Sequence, residues 1–287
     1  MPGFTIEARV EQLLGVPVAR VQPLHGGCIA RVQRFDLLDG SCVAVKSDPG
    51  PAPRLDLEAK MLARLDEATV LPVPGVLAAQ PDLLILRFIP NAGGPSPAGE
   101  AELAERLAAL HSRSSDAFGY DFDTLIGPLD QPNPRAPSWP EFFALHRLLP
   151  MAHAADRTGS LPRGLIPRIR ALADQLDDLL RPLPPAPSLI HGDLWSGNML
   201  WQGGRLAAVI DPAIYHADPE IELAFIDLFG GLGPAFWERY QALRGIRPGF
   251  WEGRRDIYNL YPLLVHARLF GGGYGVQVAR ILDSLGF

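Results

Sequence analysis

The 287-residue chain is poor in two residue types, and both shortages are informative. It has two cysteines, Cys28 and Cys42. Two cannot build the framework of bridges that staples small secreted domains, and neither has the spacing of a zinc site. It has two lysines, Lys46 and Lys60, against 24 arginines. The net charge is −6, so the basic footprint that nucleic acid requires is missing. No uncharged apolar run approaches the roughly 18 residues that a membrane-spanning helix takes. The first residues carry Glu7 and Glu11 rather than the basic-then-apolar layout of a secretory leader. These absences point away from nucleic-acid and membrane partners and predict a cytoplasmic protein. Glycine and proline, 29 of each, are plentiful but without a three-residue period, which excludes a collagen-like chain.

What is present has a clear order. Ile6, Val10, Leu13 and Leu14 predict a short amphipathic helix over 4–14. Residues 18–24 and 32–38 read as strands, Asp39-Gly40 as a hairpin turn, and 42–46 as a third strand. A helix is expected over 55–68, with apolar residues at 55, 61, 62 and 65. Pro72, Pro74 and Gly75 break the next segment, and 83–89 reads as a buried strand. Residues 91–99, rich in glycine and proline, are the best linker candidate. Beyond them the pattern turns helical over 100–112, parts of 138–156, 165–180 and most of 220–285. Short strands are expected around 198–201 and 206–210. The expected class is α+β: a small β-rich lobe over 1–90, a larger, mainly helical lobe over 91–287, and a small-molecule cleft between them.

The chemistry concentrates in His191-Gly-Asp193-Leu-Trp195-Ser-Gly-Asn198, followed by Ile210-Asp211-Pro212. An aspartate and an asparagine five residues apart let one loop present two oxygen donors to one site. Asp193 can accept a hydroxyl proton, and Asn198 and Asp211 are hard oxygen ligands. Mg²⁺ takes few such ligands from protein and is otherwise held by water and substrate phosphates. That set suits phosphoryl transfer, where protein mainly positions groups and neutralises charge. The spacing matches the kinase catalytic loop H-R-D-L-x-x-x-N, with Gly192 in place of arginine and Asp-Pro in place of Asp-Phe-Gly. Lys46 ends Val43-Ala-Val-Lys46, a strand pattern that brings a lysine to the α- and β-phosphates of ATP. Glu58 on the following helix can orient it by an ion pair. Gly26-Gly27, between two strands, would let backbone N–H groups approach phosphate. Arg87 and Ile89 mark the segment between the lobes, where backbone groups can hold adenine. Singly, Lys46 and Glu58 read as solvated charges; beside the 191–211 motif they read as half of a site. His191 is expected to order the loop, and His266 reads as a core or surface residue. Lys60 has no role in this scheme.

With these residues in hand, the chain resembles the fructosamine kinase (ketosamine-3-kinase) family. That family belongs to the protein-kinase-like superfamily with aminoglycoside phosphotransferases and choline kinases. Trp195 carries the distinction, because the wider superfamily usually has His-Gly-Asp-Leu-His-Pro-Gly-Asn. Gly26-Gly27-Cys28-Ile29, Phe118-Gly-Tyr120, Trp139 with Phe142-Phe143, Asp211-Pro-Ala213, Glu220-x-Glu-Leu-Ala224 and Phe229-Gly-Gly231 extend the likeness over nearly the whole chain. The resemblance implies a two-lobed protein-kinase-like fold and ATP- and Mg²⁺-dependent phosphorylation of the 3-hydroxyl of ketosamines. These are fructosamine or ribulosamine adducts of small amines or proteins, and their 3-phosphates fall apart to release the amine. It makes Asp193 the catalytic base, Asn198 and Asp211 the Mg²⁺ ligands, Lys46 a phosphate ligand and Glu58 its partner. It gives Trp195 an apolar face for the sugar or its amine substituent, and sets Tyr215 and His216 in the substrate pocket. Ala30-Arg31, Tyr215-His-Ala-Asp218 and Arg87 depart from the family pattern and bear on the substrate's identity. A small-molecule kinase of the aminoglycoside or choline type is the alternative. A monomer is expected, or a redox-linked dimer joined through Cys28.

Overall fold

The computed structural model describes residues 5–24, 31–68 and 71–287. Gly26, Gly27 and Cys28 therefore lie outside the described residues. The first lobe opens with α1 (Ile6–Leu14), capped by the Thr5 hydroxyl, which accepts from the Ala8 N–H at 3.3 Å. Five strands follow: β1 (Val18–Pro23), β2 (Arg31–Leu37), β3 (Cys42–Ser47), then, after helix α2 (Leu55–Ala68), β4 (Val76–Gln80) and β5 (Leu83–Arg87). They form one antiparallel sheet in the order β1-β2-β3-β5-β4. The β2–β3 turn uses Gly40 at φ 86°, with the Asp39 carboxylate accepting from the Ser41 N–H at 2.9 Å.

Strand alternation divides the sheet's two faces. Phe35, Val43, Val45, Leu83 and Ile85 pack with Val10 of α1. Ala44, Leu84 and Leu86 pack with Leu55, Ala59 and Leu62 of α2. Lys46 shares the parity of Ala44, so the pleat sends it to the α2 side. A second stripe on α2, Met61 and Leu65, joins the core of the larger lobe. Helix α2 thus serves both lobes.

The larger lobe comprises α3 (Pro97–His111), the hairpin β6 (Thr124–Ile126) and β7 (Leu129–Gln131), and α4 (Trp139–Phe143), which runs through a wide π turn (Ala144–Leu148) into α5 (Leu149–Arg157). Then come α6 (Leu165–Ala173), α7 (Leu176–Leu179), β8 (Ser188–Ile190), β9 (Met199–Gln202), β10 (Arg205–Val209), β11 (Tyr215–Ala217), α8 (Glu220–Leu228), α9 (Pro234–Leu243), α10 (Arg255–Phe270) and α11 (Tyr274–Leu285). β8 pairs with β11 and β9 with β10, both antiparallel. Among the described residues no helix is long and apolar enough to cross a membrane.

The structure adds to the sequence reading and corrects it. β4 follows immediately on the Pro72–Gly75 breaks, where the sequence reading assigned no strand. The 91–99 segment is docked rather than free. Ala92 donates its N–H to the Trp201 carbonyl at 2.7 Å, and Ser96 donates its hydroxyl to the Gly204 carbonyl at 2.9 Å. A Cβ on Gly99 would lie 2.0 Å from that carbonyl, so the glycine is there for close backbone approach.

Candidate active site

The sheet lobe contributes one ion-pair centre. Lys46 is buried at 8% exposure, and its Nζ lies 2.6 Å from Glu58 Oε1. The same ammonium contacts Asp211 from the other lobe. Burial alone would lower the pKa of this lysine, but the charges of Asp211 and Glu58 outweigh it and hold the pKa above its ordinary value. The ammonium is therefore a permanent charge at the cleft.

The helical lobe contributes the loop after β8. Gly192 has φ 86°, and a Cβ there would lie 2.1 Å from the Ala213 carbonyl. Close packing against that carbonyl is the reason glycine replaces the arginine of the kinase pattern. Glu222 on α8, fully buried, accepts the N–H of Gly192 at 2.7 Å and the N–H of His191 at 3.2 Å. Glu222 is bonded in turn to His111 Nε2 at 2.9 Å, and His111 Nδ1 to the Tyr240 hydroxyl at 2.7 Å. Burial pushes the Glu222 carboxyl up, yet the bond to His111 and the nearby donors leave it below its ordinary value, so it stays an acceptor. His191 Nδ1 accepts from the Asp193 N–H at 3.3 Å, which is the loop-ordering role expected of it.

Asn198 donates its amide N–H groups to the Asp193 carbonyl at 2.8 Å and to Asp193 Oδ2 at 3.0 Å. Both bonds use the amide nitrogen, and the amide oxygen is a hard donor of the kind Mg²⁺ takes. Asp211 sits at φ 55°, the only non-glycine with positive φ among the described residues. Such a conformation is tolerated by aspartate and is concentrated at functional sites. Burial and the nearby Asp211 charge push the Asp193 carboxyl well above its ordinary value, against the Asn198 bond that favours the carboxylate. A carboxylate of raised basicity is what a proton acceptor needs. Among the described residues no three His, Cys, Asp or Glu side chains cluster as a self-contained metal site. Asn198 and Asp211 instead offer the two-ligand arrangement that Mg²⁺ uses alongside phosphates.

These groups meet at one cleft of about 190 Å³ that includes Lys46, Glu58, Asp193, Trp195, Asn198 and Asp211. The Trp195 ring folds over Gly197, where a Cβ would lie 2.3 Å from it, and stands 5.9 Å from the Phe229 ring. Sequence reasoning missed His266, which lines the cleft among aromatics; its Nδ1–H donates to the Pro262 carbonyl at 2.8 Å. It also assigned no role to Glu222, and the only sign of one was its place in Glu220-x-Glu-Leu-Ala224.

Neither Tyr215 nor His216 lines this cleft itself, but Tyr215 lines a small cavity that shares Asp193 and His266 with it. As neighbours on β11 they face opposite sides. Tyr215 is buried beneath the Arg147 guanidinium, which lies 4.0 Å from its ring centre, and the cavity it lines with Asp193 and His266 measures about 20 Å³. His216 faces Tyr120, with ring centres 5.4 Å apart. Arg87 is exposed at the end of β5 and Ile89 is half-buried just beyond it; neither lines this cleft.

A small antiparallel lobe with a lysine–glutamate pair, facing a helical lobe with an aspartate–asparagine loop and a second aspartate, defines a protein-kinase-like phosphotransferase. The sequence profile of the fructosamine kinase family matches residues 5–286, and the chain belongs to that family. It is 35% identical over 294 residues to a Synechocystis sp. protein named probable ketoamine kinase, covering 99% of this chain and 96% of that one. It is 30% identical over 276 residues to the chloroplastic protein-ribulosamine 3-kinase of Arabidopsis thaliana, covering 93% and 82%. A Thermobifida fusca protein assigned as a fructosamine-3-kinase has a crystal structure that superposes with a TM-score of 0.86 at 33% identity, over 98% of this chain and 99% of that one. Membership in a kinase family implies ATP as the phosphate donor.

Proposed function

We propose that the enzyme transfers the γ-phosphoryl group of ATP to the 3-hydroxyl of ketosamines, free or carried on proteins, of the fructosamine or ribulosamine kind. The observation that carries this reading is the placement of Trp195 beside Asp193 at one cleft, within a family-wide match. An indole face packs against a sugar ring or an apolar amine substituent, and the neighbouring carboxylate takes the hydroxyl proton. The hydroxyl oxygen forms a bond to the γ-phosphorus, the bond from that phosphorus to the β–γ bridging oxygen breaks, and ADP leaves. Lys46, held by Glu58, neutralises phosphate charge. Asn198 and Asp211 would hold Mg²⁺, which supplies charge neutralisation at the β- and γ-phosphates when bound. The 3-phosphate product decomposes and releases the amine, which makes the reaction a step of deglycation.

The test is ADP release by the full chain with Mg·ATP and a panel of fructose-, ribulose- and erythrulose-amines, with the phosphate located by NMR. Turnover with phosphate on O3 is expected; turnover restricted to aminoglycosides or choline would overturn the reading. Asp193→Asn is expected to lose about 10²–10⁴-fold in kcat while still binding nucleotide.

A further inference from the structure

Helix α2 holds Glu58 against Lys46, and the larger lobe grips that helix from the other side. Met61 and Leu65 pack into the larger lobe's core. Arg54, the residue before α2, pairs with Asp130 on β7 at 2.6 Å. The exposed Lys60 ammonium lies 3.6 Å from the centre of the Phe122 ring. Phe122 meets Tyr120 edge-on at 5.1 Å, and Tyr120 meets His216 at 5.4 Å. Gly119 and His216 exchange backbone hydrogen bonds of 3.0 and 2.8 Å. His216 lies on β11, whose partner β8 runs into His191. Contacts therefore run without a gap from the helix that positions Lys46 to the strand pair that carries the catalytic loop. The same 119–131 segment supplies Leu125, Ile126 and Gly127 to the cleft wall.

We propose that Lys60 is a positioning residue: through Phe122 it clamps α2 to the substrate-side wall, so that nucleotide binding and ketosamine binding strengthen one another. The coupling half of this rests on the ketosamine reading above; the clamp half does not. A ligand that orders the 119–131 wall orders the face on which α2 rests, and so holds Glu58 on Lys46. Because the effect is a free energy shared by two sites, it acts equally in both directions. An ammonium over a phenyl face at an exposed site is a modest interaction, so the effects are small and specific. Arginine also stacks on an aromatic face, which makes Lys60→Arg the rescuing substitution.

The experiment is calorimetric titration of the full chain with Mg²⁺ and a non-hydrolysable ATP analogue. Lys60→Ala and Phe122→Leu are each expected to weaken nucleotide binding about 2- to 5-fold. The double variant is expected to lose no more than either single one, and Lys60→Arg to bind like the parent. Unchanged affinity in Lys60→Ala, losses that multiply in the double variant, or a Lys60→Arg as weak as Lys60→Ala would each overturn the clamp. Repeating the titration with a ribulosamine present is expected to tighten nucleotide binding in the parent and to tighten it less in Lys60→Ala. Equal tightening in both, or none in the parent, overturns the coupling. A parent enzyme that phosphorylates no ketosamine defeats the proposed function, while the titrations without ketosamine still decide the clamp.

Discussion

Lys46 and Asp211, 165 positions apart in the chain, are in direct contact across the cleft. The contact joins the lysine of the sheet lobe to the aspartate that follows β10 in the larger lobe, the two groups to which the proposed function gives the phosphates and Mg²⁺. It also explains why lysine stands here in a chain with two lysines and 24 arginines. A compact ammonium fits between Glu58 and Asp211 in a pocket that leaves it 8% exposed. A planar guanidinium fork does not.

Lys46→Arg is therefore expected to behave as a loss, not a conservative change. Turnover in a coupled ADP-release assay should fall by about 10²-fold or more, in line with removal of a preorganised charge-stabilising donor. Nucleotide affinity, read by calorimetry, should fall with it. Retention of near-parental kcat and affinity would contradict the geometry.

Glu222 is the second test. Its carboxylate accepts two backbone N–H groups of the catalytic loop and is bonded to His111, all within a fully buried shell. Glu222→Ala strands these donors without water. At about 1–3 kcal/mol for each buried group left unpaired, a loss of several kcal/mol in denaturant unfolding is expected. Glu222→Gln keeps one acceptor but turns an NH₂ toward donors, and should fall between the two. Both should lower kcat more than nucleotide affinity, because the loop carries Asp193, whereas Lys46 stands on β3. A Glu222→Gln enzyme matching the parent in stability and rate would remove the loop-holding role.

How much of this was legible in the sequence depends on how local the cause was. α2 was readable to the residue because its apolar spacing runs over four turns. The Lys46–Glu58 pairing was readable because Val43-Ala-Val-Lys46 matches a known strand pattern and the 191–211 motif supplied the other half of the site. β6, β7 and β11 are three residues long, too short for any alternation to register, and with them went the facing of Tyr215 and His216. Only the pairing of β11 with β8 decides which of those two side chains points inward. Glu222 and Lys60 act through partners far along the chain, on a loop and a ring that no local pattern links to them. The 91–99 segment read as a linker because glycine and proline signal chain freedom, whereas here they permit a close approach to Gly204.

Acid should destabilise the fold through histidines. Burial holds the imidazoles of His111, His146, His216 and His266 below their ordinary pKa. In the unfolded chain they titrate near about 6.5. As pH falls through that value the unfolded state takes up protons that the folded state refuses. The stability these groups contribute is thus fully present above about pH 7.5 and is lost as pH falls toward 5. The lowered Glu222 acts with the same sign in a more acidic range, where its unfolded counterpart protonates first. Thermal melts from pH 8 to pH 5 should show a falling Tm, with a shallower fall in His111→Gln. A fall as steep in His111→Gln as in the parent would contradict the buried, neutral state of that ring.

Gly197→Ala isolates the substrate side of the cleft. A Cβ at this position would lie 2.3 Å from the Trp195 ring, far inside van der Waals contact, so the indole must swing away. Gly197 is not at positive φ, so the substitution strains the ring contact rather than the backbone. Lys46, Glu58 and Asp211 are bonded to one another and not to the ring, and the phosphate-side geometry should survive. If Trp195 supplies the face on which the ketosamine lies, KM for the ketosamine should rise by about 10- to 100-fold, the range that misplacement of a positioning group by an ångström produces. KM for ATP should stay within about 2-fold, since the phosphate-side groups keep their local contacts. Trp195→Ala, which removes the face outright, should raise the ketosamine KM at least as far, and Gly197→Ala combined with Trp195→Ala should be no worse than Trp195→Ala alone. Equal rises in both KM values for Gly197→Ala would instead show that the whole 196–198 turn had moved, Asn198 with it, and would take from Trp195 its assignment to the substrate.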